Sequence, residues 1–166
     1  MSLVLGIDPG TATLGYGLVR ENRDSSLEAV AYGVITTSPK MPAHERLVKI
    51  YDEINELLLL HRPDRCAVEK LFFSKNVTNA IAVGQARGVV MLALAQAGLD
   101  PGEYTPNEIK LAVSGYGGAG KRQVQEMVRM LLVLEKIPRP DDAADALAVA
   151  ITHIHSARMN SLLDHR

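Results

Sequence analysis

The sequence predicts an α/β domain in which a mixed five-stranded sheet, three antiparallel N-terminal strands and then parallel strands, is flanked by helices. Two observations carry this. Before residue 38, apolar runs alternate at period two and are separated by short turns, the pattern of strands that pair antiparallel. Beyond residue 40, segments with apolar residues three and four apart alternate with short strand-like runs, the order that makes parallel pairs through helical crossovers.

The first strand, Leu3 to Asp8, ends on a carboxylate, and Pro9-Gly10 then turns the chain. Alternation sends Leu3, Leu5 and Ile7 to one face and Val4, Gly6 and Asp8 to the other. A carboxylate among strand apolars needs a partner or a cation, unless it only accepts hydrogen bonds from its own turn. Leu14 to Arg20 and Leu27 to Thr37 are the second and third strands, with the turn residues Asn22 to Ser26 between them. Gly15 and Gly17 leave one face of the second strand bare beside Asp8, which offers room for the approach of another backbone; a phosphate backbone is expected there.

Pro39 and Pro42 introduce a helix whose apolar residues Leu47, Ile50, Tyr51, Ile54, Leu57 and Leu58 face the core, and Pro63-Asp64 ends it. Arg65 to Glu69 follows as a short buried strand parallel to the first. Glu69 then shares with Asp8 the carboxyl end of the sheet, where ligands collect in open α/β folds. The next loop sets Phe72 and Phe73 between Lys70 and Lys75. Rings with adjacent cations suit unstacked bases and phosphates, although a helix-entry staple with both rings buried fits equally well. In the helix from Val77 to Ala97, Ala80, Gly84 and Gly88 form a smooth face suited to a sheet or a second subunit.

Gly102 to Thr105 is a weak fifth strand, and Pro106 to Val113 a helix capped by Thr105 and carrying Lys110. Gly115 to Lys121 has the glycine and lysine spacing of a phosphate loop. Arg122 stands where that motif needs a hydroxyl, and a helix rather than a strand precedes it, which argues against nucleotide hydrolysis. A glycine hinge presenting Lys121 and Arg122 to an anion, or a plain surface loop, remains. Gln123 to Leu134 reads as a helix. The last helix opens on three acids: Asp141 as its cap, and Asp142 and Asp145 on one face by their three-residue step, an arrangement that suggests a cation. A polar tail begins at about residue 156.

Length and a 47% hydrophobic content suit a single domain over residues 1–166. Cys66 is the lone cysteine and no secretory leader is evident, which points to the cytoplasm. The most apolar helical stretch, Val89 to Ala97, is too short to cross a bilayer, so no membrane partner is expected. A formal net charge of -1 removes any argument from global basicity. Acids crowd residues 45–56 and 135–145, whereas Lys70, Lys75, Arg87, Lys110, Lys121 and Arg122 fall where acids are sparse. A basic face around an acidic pocket, with other acids turned away, is therefore expected.

Asp8, Glu69, Asp142 and Asp145 are compatible with one site. Clustered carboxylates repel unless a cation intervenes, and oxygen-only ligands select Mg²⁺ or Mn²⁺. With these residues in view, the chain resembles the RuvC family of Holliday-junction resolvases, which have a ribonuclease H-like fold. The resemblance rests on Gly6-Ile7-Asp8-Pro9-Gly10, on Val68-Glu69 followed by Phe72, and on Gly84-Gln85-Ala86-Arg87-Gly88. It extends to the Lys110 to Lys121 segment and to Asp142-Ala143-Ala144-Asp145-Ala146-Leu147-Ala148. It implies a structure-selective endonuclease for four-way DNA junctions, acting as a homodimer through the helix of Gly84 and Gly88. It further implies two Mg²⁺ or Mn²⁺ ions held by the four acids, Lys110 and Lys121 at the scissile phosphate, and Phe72 stacked on a base. Contact with the branch-migration proteins RuvA and RuvB is a further implication.

Three rival readings differ in substrate or class. Related nucleases cut RNA or RNA–DNA hybrids with similar carboxylates; the Phe72 loop and the dimer favour a junction. Actin and sugar-kinase ATPases share a strand ending in Asp and Gly, but need two such domains. A noncatalytic junction-binding protein is disfavoured because all four acids are present.

Overall fold

The computed structural model describes residues 1–70 and 77–164. Its sheet has the order β3-β2-β1-β4-β5, with β1 Ser2–Asp8, β2 Thr13–Glu21, β3 Leu27–Thr36, β4 Arg65–Glu69 and β5 Pro101–Tyr104. β2 pairs antiparallel with β1 and β3, while β4 runs parallel to β1 and β5 parallel to β4. The helices are α1 Ala43–His61, α2 Val77–Gln96, α3 Pro106–Ser114, α4 Lys121–Leu131 and α5 Asp141–Asp164. This is the mixed five-stranded architecture that the patterning predicts.

Strand alternation divides the core into two layers. Leu5, Ile7, Cys66 and Val68 pack with Ile50, Ile54, Val90 and Leu94 of α1 and α2. Val4, Val19 and Ala67 pack on the other side with Leu147, Ala150 and Ile151 of α5. Asp8 and Glu69 follow Val4 and Ala67 in phase, so both belong to the α5 face. α2 is 20 residues long with a mean hydropathy of 1.4, long and apolar enough by composition to cross a membrane. It takes in the shorter stretch Val89 to Ala97 except for Ala97, one residue past its end, and Ala86, Val90, Ala93 and Leu94 bury its inner side in the core.

The capping of α3 is as expected: the Thr105 hydroxyl accepts from the Glu108 N–H, and the Glu108 carboxylate accepts from the Thr105 N–H. Three expectations change. α4 starts at Lys121, directly after Gly120, and stops at Leu131, because Val133 has a positive φ of 52° that a helix cannot continue through. The polar stretch from about residue 156 is the last turns of α5, which runs to Asp164. Asp141 is the first helical residue and not the cap, since the Pro140 carbonyl accepts the first helical N–H, that of Ala143, at 3.0 Å.

A fourth change concerns the bare face of β2. It is covered by α5, so no phosphate backbone can lie there. A β-carbon on Gly17 would meet Leu147 Cδ2 at 2.8 Å, one on Gly6 the Ala146 carbonyl oxygen at 2.2 Å, and one on Gly102 the His153 Nδ1 at 2.5 Å. Gly17, Gly6, Ala67 and Gly102 are successive register partners across four strands. They make a track without bulky side chains, on which the Ala-rich helix sinks close to the sheet and excludes water from both surfaces.

Candidate active site

Asp8 ends β1 opposite Gly15 of β2, one step beyond the Ile7–Val68 pair, so Glu69 emerges beside it from β4. α5 lays its first turn over Gly15, where an added β-carbon would stand 2.0 Å from the Asp142 carbonyl oxygen. This approach brings the helix acids to the strand acids. Asp8, Asp142 and Asp145 each place a carboxylate oxygen within 4.8 Å of the others. The carboxyl groups of Asp8 and Glu69 share a hydrogen bond. Glu69 and Asp145 also line, with Lys110, Lys121, Ile109, Val124 and Ala148, a cleft of about 140 Å³.

The electrostatics follow from this crowding. Burial, the hydrogen bond to Glu69 and then the charges of Glu69, Asp145 and Asp142 push Asp8 up to about 9. Burial also raises Asp145, to about 6, with Lys121 opposing and Glu69, Asp142 and Asp141 assisting the rise. The raised values of Asp8 and Asp145 mark a site short of positive charge, and the donor atoms of the four acids are all hard oxygens. They fit a divalent cation of the Mg²⁺ or Mn²⁺ type.

The cations are placed unevenly. Lys110 and Lys121 both reach the cleft. Lys121 Nζ lies 3.3 Å from Asp141 Oδ2 and 3.8 Å from Asp145 Oδ2. Burial works against its charge, but Asp145, Asp141 and Asp142 outweigh that and raise its pKa. Lys70 directly follows Glu69, its N–H bonded to the Tyr104 carbonyl at 2.8 Å. Arg122 is exposed in the first turn of α4. Arg87 is not a free cation: it meets Glu103 at 2.6 Å, and its buried Nε has no partner among the described residues. The expectation that acids other than the four turn away from the basic residues therefore fails at Glu103 and Asp141. Glu103 neutralises the partly buried Arg87, whose charge would otherwise be costly to desolvate, and Asp141 pairs with the more exposed Lys121. Phe72, Phe73 and Lys75 lie outside the described residues.

Two features of the site escaped the sequence reading. Asp141 looked like a cap, and nothing in the chain signalled that Lys121, twenty residues earlier, folds back against it. Gly6 and Gly102 carry the same message as Gly15 and Gly17, but only the strand register aligns them into one track.

Comparison with known proteins agrees with this geometry. A family model described as crossover junction endodeoxyribonuclease RuvC matches residues 4–153. The crossover junction endodeoxyribonuclease RuvC of Chloroflexus aurantiacus is 57% identical over 153 residues, 92% of this chain and 93% of that protein. Its counterpart from Syntrophomonas wolfei is 51% identical over 161 residues, 97% of this chain and 93% of that protein. Among solved structures, T. thermophilus RuvC in complex with Holliday junction substrate superimposes with a TM-score of 0.92 at 41% identity, covering 96% of this chain and 97% of that one. The yeast mitochondrial Holliday junction resolvase Ydc2 shares the fold, with a TM-score of 0.70 at 13% identity over 92% of this chain and 77% of that one. With nearly its whole length matched, the chain belongs to the RuvC family of crossover junction endodeoxyribonucleases.

Proposed function

We propose that this protein resolves four-way DNA junctions by paired, metal-dependent phosphodiester hydrolysis, using two Mg²⁺ or Mn²⁺ ions in each active site of a homodimer. The observation that carries the reading is the convergence of Asp8, Glu69, Asp142 and Asp145 from three separate parts of the chain, beside Lys110 and Lys121. Divalent cations there would supply water activation and neutralise charge on the leaving oxygen. The protein's own part is to fix four ligands on rigid elements: Asp8 and Glu69 on central strands, Asp142 and Asp145 on the buried start of α5. Lys110 and Lys121 offset the charge that builds on the phosphate oxygens. Lys70, Lys75 and Arg122 take neighbouring phosphates, and Phe72 and Phe73 offer ring faces to bases opened at the junction centre.

The outer side of α2 supports the dimer. Val77, Ile81 and Leu92 are 67%, 59% and 53% exposed, and among the described residues nothing lies within 4 Å of a β-carbon added to Gly88. A two-fold pair joined there presents two active sites to a substrate that is itself nearly two-fold symmetric. Its work belongs in the cytoplasm, on junctions that the branch-migration proteins RuvA and RuvB also handle.

The test is incubation with a four-way junction, linear duplex and an RNA–DNA hybrid, each with Mg²⁺ or Mn²⁺. Paired nicks in the junction alone, lost in Asp8→Asn and Glu69→Gln, are expected. Equal cutting of the hybrid would reassign the substrate to RNA, and cutting that survives both substitutions would overturn the mechanism.

A further inference from the structure

Asp141 lies beside the four acids but outside the group whose oxygens converge for a cation, and among the described residues its side-chain partners are cationic or amide donors. Its Oδ1 accepts from Gln125 Nε2 at 3.1 Å and from the Arg139 guanidinium. Its Oδ2 faces Lys121 Nζ at 3.3 Å. Gln125 is 5% exposed, a buried amide with little freedom to turn elsewhere. One carboxylate oxygen is thus clamped by two donors from α4 and the α4–α5 connection, and the other is left for the lysine.

Lys121 needs such a clamp. It sits at the first position of α4 directly after Gly120, its side chain is 59% exposed, and its second contact is Asp145 at 3.8 Å. Asp145 belongs to the cation-holding group, so a cation claims that carboxylate and at the same time repels the ammonium. A lysine held only by Asp145 would be driven to solvent at the moment the site is loaded. Asp141 stays bonded to Gln125 and Arg139 and remains available.

We propose that Asp141 is a positioning residue that anchors Lys121 at the edge of the cleft when cations occupy Asp8, Asp142 and Asp145. The role rests on the resolvase reading for its consequence in catalysis, but the anchoring itself is a property of the folded chain. Asp141→Asn is the suitable variant, because its amide oxygen still accepts from Gln125 and Arg139 while the charge facing Lys121 is gone.

Two measurements test it. In junction cleavage, Asp141→Asn is expected to lower kcat by about tenfold with KM and Mn²⁺ affinity nearly unchanged, and to have no further effect when combined with Lys121→Met. In acylation of surface amines on the Ca²⁺-loaded protein, read by mass spectrometry, Asp141→Asn is expected to speed modification of Lys121 several-fold and leave Lys110 unchanged. Additive kinetic effects of the two substitutions, Mn²⁺ binding that falls in step with kcat, or unaltered Lys121 labelling would each overturn the anchor. A wild-type protein that leaves junctions intact would sink the resolvase reading, and the labelling would still decide the role of Asp141.

Discussion

The Asp142 carbonyl oxygen occupies the place a side chain on Gly15 would need, 2.0 Å from the position of its β-carbon. The distance between α5 and the sheet is therefore set by a missing methyl group, and so is the distance from Asp142 and Asp145 to Asp8. Gly15→Ala must push the helix start outward. It is expected to cost about 1–3 kcal/mol in urea unfolding by overpacking. Because two cation ligands move with the helix, Mn²⁺ affinity measured by calorimetry is expected to fall about tenfold or more. A variant of wild-type affinity would show that α5 does not position these acids.

Asp8→Asn is expected to abolish junction cleavage while raising the melting temperature of the metal-free protein. Burial among three other acids forces this carboxyl to take up a proton as the chain folds at neutral pH, and an amide, neutral in both states, escapes that cost. Each kcal/mol recovered corresponds to about 2–4 °C in Tm for a chain of this size. Scanning calorimetry in a chelator checks it, and a lower Tm for the variant would contradict the electrostatic account.

The same crowding gives a pH dependence with a definite sign. The folded state raises Asp8 from 3.8 to about 9 and Asp145 from 3.8 to about 6, so it binds protons more tightly than the unfolded chain. The stability these groups allow is full below about pH 4 and is lost as pH rises, through about 6 for Asp145 and about 9 for Asp8. Without divalent cations, Tm is expected to fall between pH 5 and pH 9. Added Mg²⁺ should flatten that decline and release protons, which a weakly buffered titration detects.

Arg87, Lys70 and Arg122 are separable by salt. Lys70→Ala and Arg122→Ala are each expected to lower the slope of log affinity against log salt for junction binding by about 1. Arg87→Ala is expected to leave the slope unchanged, because Glu103 already takes its charge. It should instead destabilise the fold by about 0.2–1 kcal/mol, the worth of an ion pair with the solvent-exposed Glu103. A lowered slope in Arg87→Ala would assign it to the DNA.

Ile81→Glu places a charge on the exposed outer side of α2 without touching its buried side. It is expected to weaken self-association by about tenfold or more in analytical ultracentrifugation, with the monomer's circular dichroism unchanged. An unaffected dimer would move the interface elsewhere.

The sequence by itself determined the strands, the helices and the acids. Period-two runs before residue 38 and helical periods after it fix the local structure, because side-chain periodicity is a property of the chain alone. Asp8 at the end of an apolar strand and Asp145 within an Ala-rich helix stood out because a carboxylate there has no cheap local partner. Tertiary structure decided what faces what. Gly15 and Gly17 advertised a close approach in the sequence, but that α5 fills it depends on register across four strands, which no local pattern encodes. Asp141 carries the same lesson at the level of a single side chain. Its position before a helix pointed to a cap, and its actual partners, Lys121, Gln125 and Arg139, arrive only when α4 packs against α5. Burial and electrostatic pairing act through space, so the chain announces which residues need a partner and the fold determines which partner each one gets.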